Sequence, residues 1–481
     1  MRSIKYFLTL LFLAGSILAQ AQQTDTSKTL TLQQCLEIAV KNNLQVKQSG
    51  LSAESAKIDL AQAKENLLPA IGANANRNLS QGRGINSVTN TYVNQSQTND
   101  SYNLNGSMTL FNGFALQNAI KSASLAYQAG KMDFQSAKDV VTVNVITGYL
   151  AILNNQETLN ATKSQLAVAK ETVDRATTLE NEGANKAASD LTDFKGQLAS
   201  TQVAVVNAEN ALNSSKLNLF QLMNIAYKPG TEFQSLNAEE LTGEYGSNPD
   251  QVYQTALEKL ASVRAATLRR QSAEKNVKAV RGLLFPQLSL NGGLFTTYSN
   301  TATKSSFIDS VTSAIPGLYV NSPAGKQAVF STQANNLTQK ISYGDQFKNN
   351  YGTYVQLGIT IPIFSNRIRY NNVSKAKIAL LSYQNIEENT KIQLKQNVEQ
   401  AYYNMTSAYR RYQALTEQVK AYSESFRIYK LRFDSGVLTS VDYIIAKNNL
   451  DAANLSLISA RYDYYIDSKI LDYYQGKLSF Q

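Results

Sequence analysis

Between Val355 and Arg369 the chain reads VQLGITIPIFSNRIR. Val355, Leu357, Ile359 and Ile361 alternate with Gln356, Gly358 and Thr360, the period-2 signature of a strand with one apolar face. Pro362 and the turn Phe364-Ser365-Asn366 interrupt it, and no proline follows Arg367. The next tract predicts one helix from Arg367 to Arg432, about 100 Å long at ~1.5 Å per residue. Within it Val398, Met405, Tyr412, Val419, Phe426 and Phe433 recur every seven residues. Ala401, Ala408, Leu415, Tyr422 and Tyr429 follow three residues after them, giving the a/d seam of a helix packed lengthwise on partners.

The pattern occurs twice. MTLFNGFALQNA (Met108 to Ala119) is similar to ITIPIFSNRIRYNN (Ile359 to Asn372), with Phe111 and Phe364 253 residues apart. LENEGANKAASD resembles LRFDSGVLTSVD, and Gly183 and Gly436 repeat that offset. Val145, Ile152, Leu159, Leu166 and Val173 carry the seam in the first copy. A third pair, ENLLPAIGANA and RGLLFPQLSLNGG, is offset by 217, from Pro69 to Pro286. The second copy is therefore longer between strand and helix, within a Ser-, Thr-, Asn-, Gly- and Pro-rich segment that reads as a surface loop, 296–350. An internal duplication explains all three pairs. Each copy is expected to run helix, strand, loop, strand, very long helix, turn, helix.

Leu104, Gly106, Met108 and Leu110 alternate with Asn103, Asn105, Ser107 and Thr109, and Leu288 and Leu290 with Ser289 and Asn291. Ile71, Ala73 and Ala75 make a weaker strand after Pro69. Apolar residues outward and amides and hydroxyls inward suit a barrel wall between lipid and water. Two copies supply four strands, whereas membrane barrels start at about eight, and open edges cannot be satisfied in lipid. Other chains must complete the barrel. Three copies around one axis would give twelve strands.

The N-terminal stretch MRSIKYFLTLLFLAGSILAQA has the basic start, apolar core and small-x-small end of a secretory signal peptide, residues 1–21. Without Arg2 and Lys5 the formal net charge of +10 becomes +8, spread along the chain. No later run of 18 apolar residues predicts a transmembrane helix, so insertion into a membrane would require a β-barrel. The chain holds no histidine, no tryptophan and one cysteine, Cys35. Ser-His-Asp and Cys-His catalysis and an internal disulfide are excluded. No enzyme activity, metal or cofactor is expected. The basic-aromatic run from Tyr409 to Phe433 could suggest nucleic acid, but its aromatics occupy the heptad seam of an exported chain, so no nucleic-acid partner is expected. The rival reading is a secreted coiled-coil adhesin or fibre, which explains the heptads and the signal peptide but neither the alternating strands nor the duplication.

Over essentially the whole mature chain these residues resemble the TolC-like outer-membrane efflux family. The resemblance begins at LTLQQCLEIAVKNNLQVKQS, continues through LLP before each first strand and the Phe-led turn after each second strand, and ends with FDSGVLTSVDYIIAKNNLDAANLSL onward. It implies a mixed, mainly α fold: a long antiparallel α-helical barrel continued by a transmembrane β-barrel of four strands per chain, twelve in a trimer. The expected segments are the first repeat 22–223, an equatorial linker 224–250 and the second repeat 251–481. The implied function is an outer-membrane duct of tripartite efflux or type I secretion in a Gram-negative bacterium, with its helices in the periplasm. Its implied partners are two further copies, a periplasmic adaptor, an inner-membrane transporter and outer-membrane lipid. Gly183, Ala184, Gly436 and Val437, with Leu438, would form the adaptor-docking turns. Asp442 aligns with the first of two acidic constriction rings. Ile445 stands where the second is acidic, and Leu438 and Phe433 stand where the family has a polar latch. Packing of Phe433, Leu438 and Ile445 is therefore expected to replace that latch.

Overall fold

The computed structural model describes residues 29–85, 91–182, 187–235 and 245–477; the expected signal peptide lies outside them. The chain divides into a helical unit, Met1–Ile58 with Ser124–Ser272 and Leu380–Gln481, and a sheet-bearing unit, Asp59–Ala123 with Ala273–Ala379.

The duplication is written in the backbone. Helices α1 (Leu32–Asn42) and α2 (Leu44–Glu65) recur 217 residues later as α5 (Pro249–Lys259) and α6 (Ala261–Gly282). The long helix α3 (Ala115–Asn181) recurs 253 residues later as α8 (Ile368–Asp434), each 67 residues long. α4 (Ala187–Leu222) and α9 (Ser440–Tyr474) complete the copies. Thr31 and Asn248 open α1 and α5 with equivalent capping boxes, closed by Gln34 and Gln251. Even two consecutive left-handed residues repeat: Gly113 and Phe114 (φ 66° and 61°) return as Asn366 and Arg367 (49° and 60°).

The sequence predicts one opening helix per copy; the structure breaks each into two. In the first copy Asn43 causes the break. Its N–H ends α1 on the Ala39 carbonyl, while its Oδ1 accepts from the N–H groups of Gln45 (2.8 Å) and Val46 (3.2 Å) to start α2. Leu260 marks the same break in the second copy, with an extended backbone and its N–H on Ala256.

Each copy builds its core from matching positions. One cluster holds Cys35, Ala39, Val46, Val141, Val145, Ile152 and Leu219; the other holds Val252, Ala256, Val263, Leu394, Val398, Met405 and Leu471 at the 217-, 253- and 252-residue offsets. Cys35 thus fills a valine's place. Burial pushes its thiol up to about 12, so it packs as a small hydrophobe. α3 also contains one stretch apolar and long enough to pass for a membrane span by composition, which the apolar-run criterion above did not pick out. Val145, Ile146, Tyr149, Leu150 and Ile152 of that helix are buried in the first cluster, so core packing accounts for much of its apolar character. Residues 225–235 of the expected linker join this unit: Phe233 pairs with Leu30, and the Tyr149 hydroxyl lies 2.7 Å from the Gln234 carbonyl oxygen.

Two carboxyls in the helical unit titrate in opposite senses. Burial pushes Glu387 up, but hydrogen bonds from Lys391, Arg270 and Thr267 outweigh it and hold the group below its ordinary range. Burial and the neighbouring Asp463 push Asp467 up to about 6, against Arg411. A carboxyl raised in the folded state penalises folding above its folded pKa and ceases to do so as pH falls toward its unfolded value. Because the carboxyl is half-exposed and partly screened by solvent, Asp467→Asn is expected to stabilise the protein by about 1–2 kcal/mol at pH 7.5, less than the full shift, with the gain vanishing near pH 4. Thermal unfolding in detergent across that range checks the sign, and a loss of stability at pH 7.5 would contradict it.

In the sheet-bearing unit β1 (Ala70–Ile85), β2 (Tyr92–Phe111), β3 (Gln287–Ser299) and β6 (Gly352–Thr360) form one sheet in the order β1-β2-β3-β6, all pairs antiparallel. Over the rows nearest Ala70 and Thr360 the register keeps apolar and polar side chains on opposite faces. Ile71 stands opposite Gly106, Leu104 opposite Leu294, Met108 opposite Leu290, and Leu290 opposite Leu357. On the other face Asn74 stands opposite Asn103, Ser107 opposite Asn291, and Asn291 opposite Gln356. The apolar face is exposed in the single chain, with Leu357 61% accessible, as a lipid-facing wall requires.

The segment read as a plain loop, 296–350, is ordered. β4 (Thr303–Ser322) and β5 (Gly325–Lys340) pair as a two-stranded ribbon, and α7 (Tyr343–Asn349) follows. Hydroxyl and amide side chains are tolerated on both faces of a solvated ribbon, so no apolar period marks it and composition alone suggests a loop.

Candidate functional site at the helical turns

The turn between α8 and α9 carries most of the residues singled out in the sequence. Gly436 ends α8 with φ 74°, a left-handed conformation that costs glycine no Cβ clash. Its N–H donates to the Phe433 carbonyl (2.9 Å) and that of Val437 to Arg432 (3.0 Å), the paired bonds of a Schellman closure. Three residues later Thr439 opens α9. Its hydroxyl accepts from the Asp442 N–H (3.2 Å) and donates to Asp442 Oδ2 (2.6 Å). Asp442 is thereby held in the first turn of α9, where the positive end of the helix favours a carboxylate.

The candidate residues separate into two groups. Phe433 turns inward: its ring meets Tyr443 at 5.0 Å and Phe194 at 5.7 Å between centroids, in a cluster with Ala176 and Leu191. Asp442 and Ile445, three residues apart on α9, share a face, with Ile445 53% exposed. Val437, at the turn, is 76% exposed, and Leu438 is half-buried. Neither Leu438 nor Ile445 belongs to the Phe433 cluster. Gly183 and Ala184 lie outside the described residues.

Behind this surface is a polar lattice that sequence reasoning did not find. The buried Ser440 donates to Asp193 Oδ2 (2.9 Å). Gln197 and Asn448 exchange hydrogen bonds at 2.8 and 3.2 Å, and Arg175 pairs with Asp434 at 3.1 Å. Lys447 and Asp451 form an ion pair one helical turn apart; burial lifts the Asp451 carboxyl above its usual range although Lys447 opposes it. Asp193, Gln197 and Ser440 are ordinary polar residues in the sequence, and only the meeting of α4 with α9 gives them partners. The outcome is a braced turn that presents the Asp442 carboxylate and exposed aliphatic side chains, a surface suited to contact and to lining a passage.

Comparison with known proteins agrees with this architecture. The model of the outer membrane efflux protein family matches residues 35–224 and 252–476, the two copies in turn. Toxin and drug export protein A of Aggregatibacter actinomycetemcomitans is 24% identical over 455 residues, covering 91% of this chain and 84% of that protein. Outer membrane protein TolC of Escherichia coli K12 is 22% identical over 448 residues, covering 92% and 81%. Among solved structures, the outer membrane protein VceC of Vibrio cholerae superposes with a TM-score of 0.72 at 13% identity, covering 92% of this chain and 96% of its own. The CmeC outer membrane channel of Campylobacter jejuni gives 0.70 at 18% identity, covering 96% and 91%. With its two matched halves coinciding with the two copies of the duplication, the chain belongs to the outer membrane efflux protein family.

Proposed function

We propose that three copies of the chain close a single passive duct in the outer membrane of a Gram-negative bacterium. In this reading the sheets form a twelve-stranded barrel and the long helices line the periplasmic passage. The carrying observation is the sheet itself: β1 and β6 stand at its two ends, and one face carries the apolar rows of Ile71, Leu104, Met108, Leu290 and Leu357. Unpaired strand edges are untenable in lipid, and threefold closure pairs β1 of each copy with β6 of the next. The half-buried lower seam, from Tyr412 to Phe433, is likewise suited to neighbouring helices.

The duct would receive substrate from an inner-membrane transporter through a periplasmic adaptor. The adaptor would dock at the helical turns, on Gly436 and Val437 and their counterparts Gly183 and Ala184. The constriction would be formed by Asp442 and Ile445 with Leu438 beside them, and Phe433 would brace it from behind through Tyr443 and Phe194. Three Asp442 carboxylates about 6 Å apart repel by only about 0.7 kcal/mol per pair in water, enough to bias ions and too little to lock a gate. The relative named for toxin and drug export, the structure named as an outer membrane channel and the efflux family itself support this reading.

Planar-bilayer recording of the purified protein tests it, with Asp442→Asn as the informative variant because an amide oxygen can still accept from Thr439. Small cation-selective openings are expected, with the cation preference falling about threefold or more in the variant. Selectivity unchanged by Asp442→Asn would remove this residue from the constriction. Absence of any conductance, even after deletion across Gly436, would overturn the duct.

A further inference from the structure

The four strands of the sheet contain only three charged residues, Arg77, Arg83 and Asp100. The register puts all three on the face that also carries Ile71, Leu79, Leu104 and Met108. There they are neutralised or occupied. Arg77 holds Asp100 through two hydrogen bonds of 2.7 Å, and the Arg83 guanidinium lies 5.0 Å from the centre of the Tyr92 ring.

The opposite face carries no ionisable carboxyl, amine or guanidinium among the described residues. Its rows are amides and hydroxyls: Asn76 beside Ser101 and Thr297, and Asn78 beside Asn99. Two rings complete it. Phe295 lies over Gly352, where a Cβ would come within 2.4 Å of the ring, and Tyr354 lies over Gly293, where a Cβ would come within 2.7 Å. Tyr354 also donates to Asn105 Oδ1 at 3.3 Å. A water-filled lumen imposes no desolvation penalty that would keep charges out, so burial does not account for this neutrality.

We infer that the barrel part of the duct is an uncharged, amide-lined exit that passes solutes without regard to the sign of their charge, so that any charge selection lies outside the barrel wall. This rests on the duct reading, in which the polar face is the lumen. The solute class it fits is broad in charge and defined by hydrogen bonding and by stacking on Phe295 and Tyr354. A single ring of three like charges on this wall would change the local concentration of a monovalent ion by on the order of tenfold. Its absence is therefore a measurable property.

The test uses the full-length protein with one cysteine added, Asn103→Cys or Gln356→Cys, the native Cys35 being fully buried. Methanethiosulfonates of similar size, one cationic and one anionic, are applied to the folded protein. The ratio of their rates is divided by the ratio for a small free thiol. Any shift in the thiol's own acidity affects both reagents alike, so the normalised ratio reads the local potential. It is expected to lie within about twofold of one, whereas a preference of about tenfold for either sign would overturn the inference. Adding Asn105→Asp to Asn103→Cys is expected to move the ratio about tenfold toward the cation. A ratio that stays in place would show that charge on this wall does not govern passage, which also overturns it. Failure of the duct reading looks different: neither cysteine reacts with either reagent in the folded protein, because the face is not open to water.

Discussion

Replacing Gly113 with alanine is expected to remove the folded protein from the outer membrane. Gly113 sits where β2 turns into α3, with φ 66°. A left-handed conformation costs an L-residue about 1–2 kcal/mol. Steric overlap costs more. A Cβ at this position would lie 2.3 Å from the Gly282 carbonyl oxygen and 2.8 Å from Phe285 Cβ. The first obstacle is backbone at the end of α6, so no side-chain rotation relieves it. The approach is mutual, since a Cβ on Gly282 would come within 2.6 Å of the Gly113 carbonyl oxygen. Strain and overlap together are expected to exceed about 4 kcal/mol, against a total stability of about 5–15 kcal/mol for a typical domain. Gly72→Ala is the control, because nothing stands within 4 Å of its added Cβ. The readout is the heat-modifiable folded band from outer-membrane fractions on unboiled gels. It should be lost in Gly113→Ala and Gly282→Ala and kept in Gly72→Ala. A full folded yield from Gly113→Ala would show that the β2–α3 corner can shift, and would refute the packing argument.

This corner also shows what the sequence could and could not reveal. Phe111 and Phe364 marked it as one of two copies, and the duplication carried the fold a long way. Helix lengths, core positions and paired left-handed residues follow the offsets read from the letters, because each copy solves the same packing problem. The glycine-to-glycine contact was not legible, since Gly282 belongs to the other copy and only the folded unit brings it to Gly113. The breaks at Asn43 and Leu260 were not read from the letters: Asn43 acts as a cap only because its side chain accepts from Gln45 and Val46, and Leu260 carries no cap-forming side chain at all. The β4–β5 ribbon stayed hidden because alternation is visible only where one face is dry. At the helical turn the glycine and the acidic residue were legible, being local. The inward packing of Phe433, the Thr439 hydrogen bond to Asp442 and the Ser440–Asp193 contact were not, since side-chain direction there is set by partners far off in the chain.

Where one face is dry the alternation makes its sharpest prediction, on two neighbouring residues of β6. Leu357 stands opposite Leu290 and Gln356 opposite Asn291, so consecutive side chains belong to opposite faces of one strand. Leu357→Arg moves a guanidinium into the apolar band at a cost of about 2–4 kcal/mol near the bilayer midplane. A closed trimer bears that cost three times. The arginine's length allows some escape toward the interface, but Ile359 lies on one side along the strand and Val355 on the other. Folded protein in the outer membrane is expected to fall at least tenfold, with the chain recovered as periplasmic aggregate or fragments, because a 1.4 kcal/mol difference already amounts to about tenfold. Gln356→Arg adds the same side chain one residue earlier, on the amide face beside Asn291, where water solvates it. Its folded yield is expected to match the parent. The pair holds residue type, strand and depth nearly constant and changes only the face. Equal yields from both variants would mean that neither face meets lipid, and equal losses would mean that both are packed. Only the opposite outcomes fit a wall with hydrocarbon on one side and water on the other.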